Sequence, residues 1–128
     1  MNKAEDGIPL VETLTANTTL TAADSGKVYL IATDAITITL PATALGLTYT
    51  FVNTGADGNN IMTISPNASD YIAGTATLAS SVVDLGVTDD KDIINTKTSS
   101  ITGDSVTIVG DGVAGYFVTS INGIWASE

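Results

Sequence analysis

Strict two-residue alternation dominates this chain. Ile36-Thr37-Ile38-Thr39-Leu40 alternates apolar and hydroxyl side chains, and Leu47-Thr48-Tyr49-Thr50-Phe51 does the same. Met62-Thr63-Ile64-Ser65 and Val106-Thr107-Ile108 repeat the pattern, and Tyr116-Phe117-Val118-Thr119 nearly follows it. A period of two sends one set of side chains to a core and the other toward solvent. Thr suits the outer set because a β-branched side chain fits a pleated surface. No window carries the 3.6-residue apolar stripe of a helix. The alternation predicts strands near residues 9–15, 18–22, 27–32, 36–40, 47–53, 61–65, 77–83, 92–97, 105–109, 114–121 and 123–126. The expected core is Val28, Leu30, Ile36, Ile38, Leu40, Leu47, Tyr49, Phe51, Met62, Ile64, Val106, Ile108, Tyr116 and Val118.

Turn residues punctuate these strands. Ala23-Asp24-Ser25-Gly26 precedes the strand at 27–32, and residues 53–60 form a loop rich in Gly, Asn and Asp. That loop is expected to close a long-tipped hairpin between 47–52 and 61–65. Asn122-Gly123 signals a second, tight hairpin between 116–121 and 124–125. Pro41 to Gly46 reads as one helical turn, opened by Pro and closed by Gly. Turns every ~8–12 residues point to an all-β fold, an antiparallel β-sandwich or a jelly-roll-like barrel. Residues 1–8 are too polar to pack and read as an extended, flexible N-terminal arm, with 9–128 as a single β domain.

Composition then narrows the chemistry. The chain has 128 residues with 14 Asp and Glu against 4 Lys, no His and no Cys, a formal net charge of -10. Without Cys there is no disulfide, thiolate nucleophile or zinc–thiolate site. Without His there is no Ser-His-Asp triad and no imidazole acid–base group. Arg is absent too, so no bidentate clamp for phosphate or carboxylate exists. A pI near 4.1 disfavours nucleic acid and anionic lipid as partners. No segment approaches the ~20 apolar residues of a membrane span, and residues 1–12 lack the apolar stretch of a secretion signal. The expectation is a non-enzyme without cofactor or metal, made in a cytoplasm.

The remaining constellations read as turns and surface. Asp89-Asp90-Lys91-Asp92 is the densest charge cluster, but it lacks the spacing of a Ca²⁺ loop and is better taken as a solvated loop. Gly110-Asp111-Gly112-Val113-Ala114-Gly115 formally fits a dinucleotide fingerprint, yet strands flank it on both sides, so it is a hairpin loop. Thr-x-Thr pairs begin at Thr13, Thr37, Thr48, Thr75 and Thr96. Their unequal spacing argues against a regular ice-binding solenoid. Trp125, the sole Trp, is either a lid on the core or an aromatic anchor in a subunit contact. Val11 and Leu14, just after the arm, are candidates to dock on a neighbour.

Three phrases in series carry a family resemblance: Ala-Ala-Asp-Ser-Gly-Lys at 22–27, Leu-Pro-Ala through Gly-Leu-Thr-Tyr-Thr-Phe at 40–51, and Asp-Ser-Val-Thr-Ile-Val-Gly-Asp-Gly at 104–112. The series resembles the small β-rich head decoration, or cement, proteins of tailed bacteriophages. The resemblance implies a structural virion protein on the outer capsid surface, assembled in the host cytoplasm. It implies binding to the major capsid protein across capsomers, and a homotrimer. It brings no catalytic residues. The alternative is a tail-fibre or receptor- or carbohydrate-binding β module. A Ca²⁺-dependent adhesion domain is a third reading.

Overall fold

The computed structural model describes residues 10–78 and 81–127. The expected arm at 1–8 lies outside them. Among the described residues, thirteen strands run in order: β1 (Val11–Leu14), β2 (Thr18–Thr19), β3 (Val28–Ile31), β4 (Ile36–Thr39), β5 (Thr48–Asn53), β6 (Met62–Ser65), β7 (Tyr71–Ala73), β8 (Thr75–Leu78), β9 (Ser81–Asp84), β10 (Ile93–Asn95), β11 (Ser105–Gly110), β12 (Gly115–Asn122) and β13 (Trp125–Ser127). A six-stranded sheet has the order β1-β3-β5-β11-β12-β7, a five-stranded sheet the order β13-β10-β6-β4-β2, and β8-β9 form a separate hairpin.

The fold is β-rich as the alternation predicts, but both large sheets are mixed and not antiparallel. β1, β3 and β5 lie parallel in one sheet, and β2, β4 and β6 lie parallel in the other. The first six strands therefore alternate between sheets, each successive pair laid on the one before. Unequal loops do not prevent this coiling, because only the strands must register and loop closure costs little per added residue. The second half pairs antiparallel, β11 with β5 and β12 and β10 with β6 and β13, except that β7 lies parallel to β12.

Two expected hairpins are corrected by this path. β5 and β6 belong to different sheets, so residues 53–60 carry the chain across the core. Asn122-Gly123 likewise passes the chain from β12 to β13 in the other sheet. The hairpin around Asp111 does form, joining β11 to β12. The expected strand at 77–83 is the β8-β9 hairpin instead. Residues 41–46 contain no helix. Their polar groups are bonded to another loop and to two strand ends: Thr43 N–H donates to Asp70 Oδ2 at 2.8 Å, Thr43 Oγ1 to the Gly115 carbonyl at 2.7 Å, and Gly46 N–H to the Gly110 carbonyl at 3.1 Å. Short 3-10 turns occur at Ala22–Asp24 and Lys97–Ser99.

One hydrophobic cluster collects the buried residues of both sheets. Ile36, Ile38, Leu40, Leu47, Tyr49, Phe51, Met62, Ile64, Val106, Ile108 and Tyr116 are buried as expected. β3 has the opposite phase. Tyr29 and Ile31 are buried, while Val28 and Leu30 are only half-buried. The parallel register sets Tyr29 beside Phe51, and their rings stack at 5.7 Å. Val118 is partly buried against the same cluster. Fully burying each large side chain is worth about 1.5–3 kcal/mol, so these aromatics carry much of the stability.

Candidate adhesive surface

The two poles of the β5-β11 pair are built differently. At the end where β5 finishes and β11 begins, Asn53, Asn95 and Asp104 are buried. Asn53 Nδ2 donates to Asn95 Oδ1 at 2.8 Å, which ties the six-stranded sheet to the five-stranded one. Asn95 Nδ2 donates to Asp104 Oδ2 at 3.0 Å and to the Ile124 carbonyl at 3.2 Å. Asp104 Oδ2 also accepts the Ile101 N–H at 2.9 Å. Buried polar groups are tolerable only when bonded, and this cluster is a clamp between sheets. Alternation gives no sign of it, because each residue stands at a strand end.

The opposite pole is apolar at its tip. Leu45 and Val113 are each 86 % exposed. Their loops are tied together: Gly110 N–H donates to the Leu47 carbonyl at 2.7 Å and Gly112 N–H to Thr43 Oγ1 at 3.1 Å. Tyr116 Oη donates to the Pro41 carbonyl at 2.9 Å from below. Asp111 Oδ1 accepts the N–H groups of Val113, Ala114 and Gly115 at 2.8, 3.0 and 3.1 Å. Those N–H donors, Val113 and Gly115 foremost, hold the Asp111 carboxyl below the usual carboxylate range. Two large apolar side chains are thus presented to solvent on a braced scaffold.

Between the poles, and among the described residues, the outer face of the six-stranded sheet has no charged side chain. The register sets Val11, Val28, Thr50, Thr107 and Ser120 in one row across it. Thr13, Leu30, Val52, Ser105 and Asn122 form the next. The Thr50 and Thr107 hydroxyls bond to each other at 2.9 Å. The outer face of the five-stranded sheet is also uncharged, with Thr37, Thr63, Ile94 and Ala126 in a row beside Thr39 and Ser65. Among the described residues, Glu12 and Asp84 are the only charged residues within strands. The other charged residues among those described lie between strands.

The acids in the loops have local tasks. Asp24 Oδ2 accepts the Thr21 N–H at 2.9 Å, and its Oδ1 pairs with Lys27 Nζ at 3.0 Å. Burial acts against its charge, but these donors outweigh it and lower its pKa. Lys27 also reaches Glu12 at 3.2 Å, and the two carboxylates, Asp24 first, raise its pKa. Asp34 bonds Lys97 Nζ and the Ile61 N–H, which lower its pKa. Asp89, Asp90 and Lys91 sit on an exposed loop, with the Asp90 N–H donating to the Asp70 carbonyl at 2.9 Å. Among the described residues, no group of three or more carboxylates is placed to hold a metal ion. No described helix is long and apolar enough to cross a membrane.

The three sequence candidates do not come together as a surface. Val11 is 57 % exposed at the edge of the six-stranded sheet. Leu14 is buried in the core cluster. Trp125 is fully buried there too, with Nε1–H donating to the Asn122 carbonyl at 2.9 Å, so within the chain it is a core residue. The sequence reading missed Leu45 and Val113. An isolated Leu or Val in a Gly-rich loop looks like ordinary turn filler until two such loops are placed side by side. Phe117 is also exposed, with its ring edge-on to Tyr71 at 6.2 Å. No protein-family profile matches the chain, and no curated protein matches it either.

Proposed function

We propose that the chain is a structural virion protein, a capsid decoration or cement protein that binds the outer capsid surface across capsomers. One observation carries the reading furthest: two apolar side chains, Leu45 and Val113, stand exposed on loops that are hydrogen-bonded to each other. Exposed apolar side chains that stand together mark interaction sites more often than single ones do. The uncharged sheet faces add area for adhesion. Asp111 in this tip is bonded to the N–H groups of its own loop, and the acids on the other loops would keep decorated particles apart in solution. The reading of two sheets around one core as a β-sandwich fits this use, since a stiff body transmits load between capsomers. A homotrimer on local three-fold positions, with the major capsid protein as partner, completes the proposal.

Sugar binding by a tail-fibre module is less well supported. Carbohydrate sites usually offer aromatic platforms, and five of the seven aromatic side chains are buried, which leaves Phe117 and the half-buried Tyr71, whose rings meet edge-on rather than side by side as a flat platform. The decisive test is co-sedimentation of the purified chain with undecorated capsids. Wild type should pellet with them, and a Leu45→Asp/Val113→Asp variant of unchanged melting temperature should remain in the supernatant. Equal pelleting of both proteins would remove this pole from the interface. Failure of wild type to pellet, with retention on a glycan array, would replace the reading by the tail-fibre one.

A further inference from the structure

The chain carries one Asn-Gly pair, Asn122-Gly123, at the crossover from β12 to β13. Asn is a chemically labile residue. In an Asn-Gly pair the following backbone nitrogen meets no side chain on its way to the Asn amide carbon. Among the described residues, Asp57-Gly58 and Asp111-Gly112 could close the same five-membered ring, and the fold ties both. Gly58 N–H donates to the Ser100 carbonyl at 2.8 Å, and Asp57 Oδ1 accepts the Thr102 N–H at 2.9 Å. Gly112 N–H donates to Thr43 Oγ1, and Asp111 Oδ1 accepts three N–H groups of its own loop. The other described asparagines are held too, and none precedes a Gly. Asn53, Asn60 and Asn95 are buried. Asn17 and Asn67 accept backbone N–H groups, and Asn59 donates to Asn60. Asn122 differs on each count. Its side chain is exposed, and among the described residues neither its amide nor the Gly123 N–H has a hydrogen-bond partner. It is the last residue of β12, held by the end pair with Ser105 and by its carbonyl, which accepts Trp125 Nε1–H. The end of a ladder opens at lower cost than its middle, so Asn122 can leave the extended conformation while the core stays closed.

We infer that Asn122 is a self-modification site: its side-chain amide is hydrolysed through a cyclic imide with Gly123, and the product loosens the crossover above the buried clamp. The Gly123 nitrogen attacks Asn122 Cγ and gives its proton to water. The Cγ–Nδ2 bond breaks and ammonia leaves. A second water opens the imide. Cleavage of the new Cγ–N bond leaves an aspartate. Cleavage of the original peptide bond leaves an isoaspartate, whose main chain runs through Cβ and Cγ. Water is the sole co-reactant, and nothing is oxidised or reduced. Either product adds one negative charge to a chain of net charge -10. The isoaspartate also lengthens the main chain by one carbon, at a point with no room for it: a Cβ on Gly123 would lie 2.3 Å from Asp104 Oδ1. The carbonyl that accepts Trp125 Nε1–H becomes part of the free carboxylate. Both ties of the crossover to the core are thereby disturbed. The inference does not depend on capsid binding.

The lysine positions make a clean test possible. Trypsin cleaves after Lys97 and leaves residues 98–128 as one peptide, in which Asn122 is the sole Asn. Residues 28–91 form another, with four Asn. Full-length protein is incubated in neutral buffer for weeks and digested alongside a fresh sample. Peptide 98–128 should gain one dalton and split into two chromatographic forms, aspartate and isoaspartate, before peptide 28–91 changes. The same peptide from an Asn122→Gln protein should keep its mass, since glutamine closes the larger ring more slowly. The modified intact protein, separated by anion exchange, should unfold at a lower temperature than the unmodified fraction. A peptide 98–128 that keeps its mass, or changes no sooner than 28–91, overturns the site. A modified fraction that melts together with the unmodified one overturns the loosening. Neither result touches the capsid co-sedimentation test.

Discussion

Asp104 fills the space where Gly123 would carry a side chain: a Cβ there would lie 2.3 Å from both Cγ and Oδ1 of Asp104. Gly123 also has φ +98°, a region that L side chains rarely adopt. The close approach is what lets the chain cross from β12 to β13 directly over the buried Asn53–Asn95–Asp104 clamp. Gly123→Ala should therefore cost about 2–4 kcal/mol, combining backbone strain with a displaced buried carboxylate. Gly103 is the control. Its φ is +101°, yet nothing lies within 4 Å of the missing Cβ, so Gly103→Ala should cost only the strain, about 1–2 kcal/mol. Urea denaturation of both variants measures the difference. Equal losses would show that the contact with Asp104 adds nothing.

Trp125 gives a second, independent handle on the core. Its ring is fully buried and its Nε1–H is bonded to the Asn122 carbonyl. Trp125→Ala should destabilise by about 3–5 kcal/mol. Trp125→Phe keeps most of the packing and loses the indole donor, for about 1–2 kcal/mol. Because this is the sole Trp, native emission should be blue-shifted and should move red on unfolding, while the variants are followed by circular dichroism. A solvent-exposed emission maximum in the native protein would contradict the placement.

Stability should fall at both ends of the pH scale. Asp24, Asp34 and Asp111 all have lowered pKa values against a usual 3.8. A depressed carboxyl stabilises above its unfolded pKa and loses that contribution as pH falls through the folded value. The melting temperature should thus decline from about pH 4 downward. Asp111→Ala should melt lower at neutral pH and show a shallower acid slope. At the alkaline end, burial raises the pKa of Tyr29, Tyr49 and Tyr116, that of Tyr49 to about 12. A raised tyrosine stabilises below its unfolded value and loses this as pH rises. The Lys27 pairs, with Lys27 raised above its usual 10.5, are lost in the same range. Ultraviolet titration should show these tyrosines ionising only with unfolding. Ionisation near pH ~10 with the fold intact would contradict their burial.

The strands were legible because alternation is written residue by residue. β4, β5, β6 and β11 keep the predicted faces, since Thr or Ser alternates with an apolar residue in each. β3 did not, because Val28-Tyr29-Leu30-Ile31 is apolar in both phases, and only the partner strand decides which face turns inward. β7 is three residues ended by Gly74, too short to show a period. Sheet membership was not legible at all. A Gly- and Asn-rich loop bends the chain equally well into a hairpin or across a core, and burial on the two sheets made the choice for residues 53–60 and for Asn122-Gly123. The clamp and the Leu45–Val113 tip share this cause: each joins residues far apart in sequence whose local context is an ordinary turn.

Where the protein works is read from its copy number in the assembled particle. Quantitative mass spectrometry of purified virions, scaled to the major capsid protein, should count the chain in a number commensurate with the capsid lattice. A few copies per particle, co-purifying with detached tails, would contradict the account.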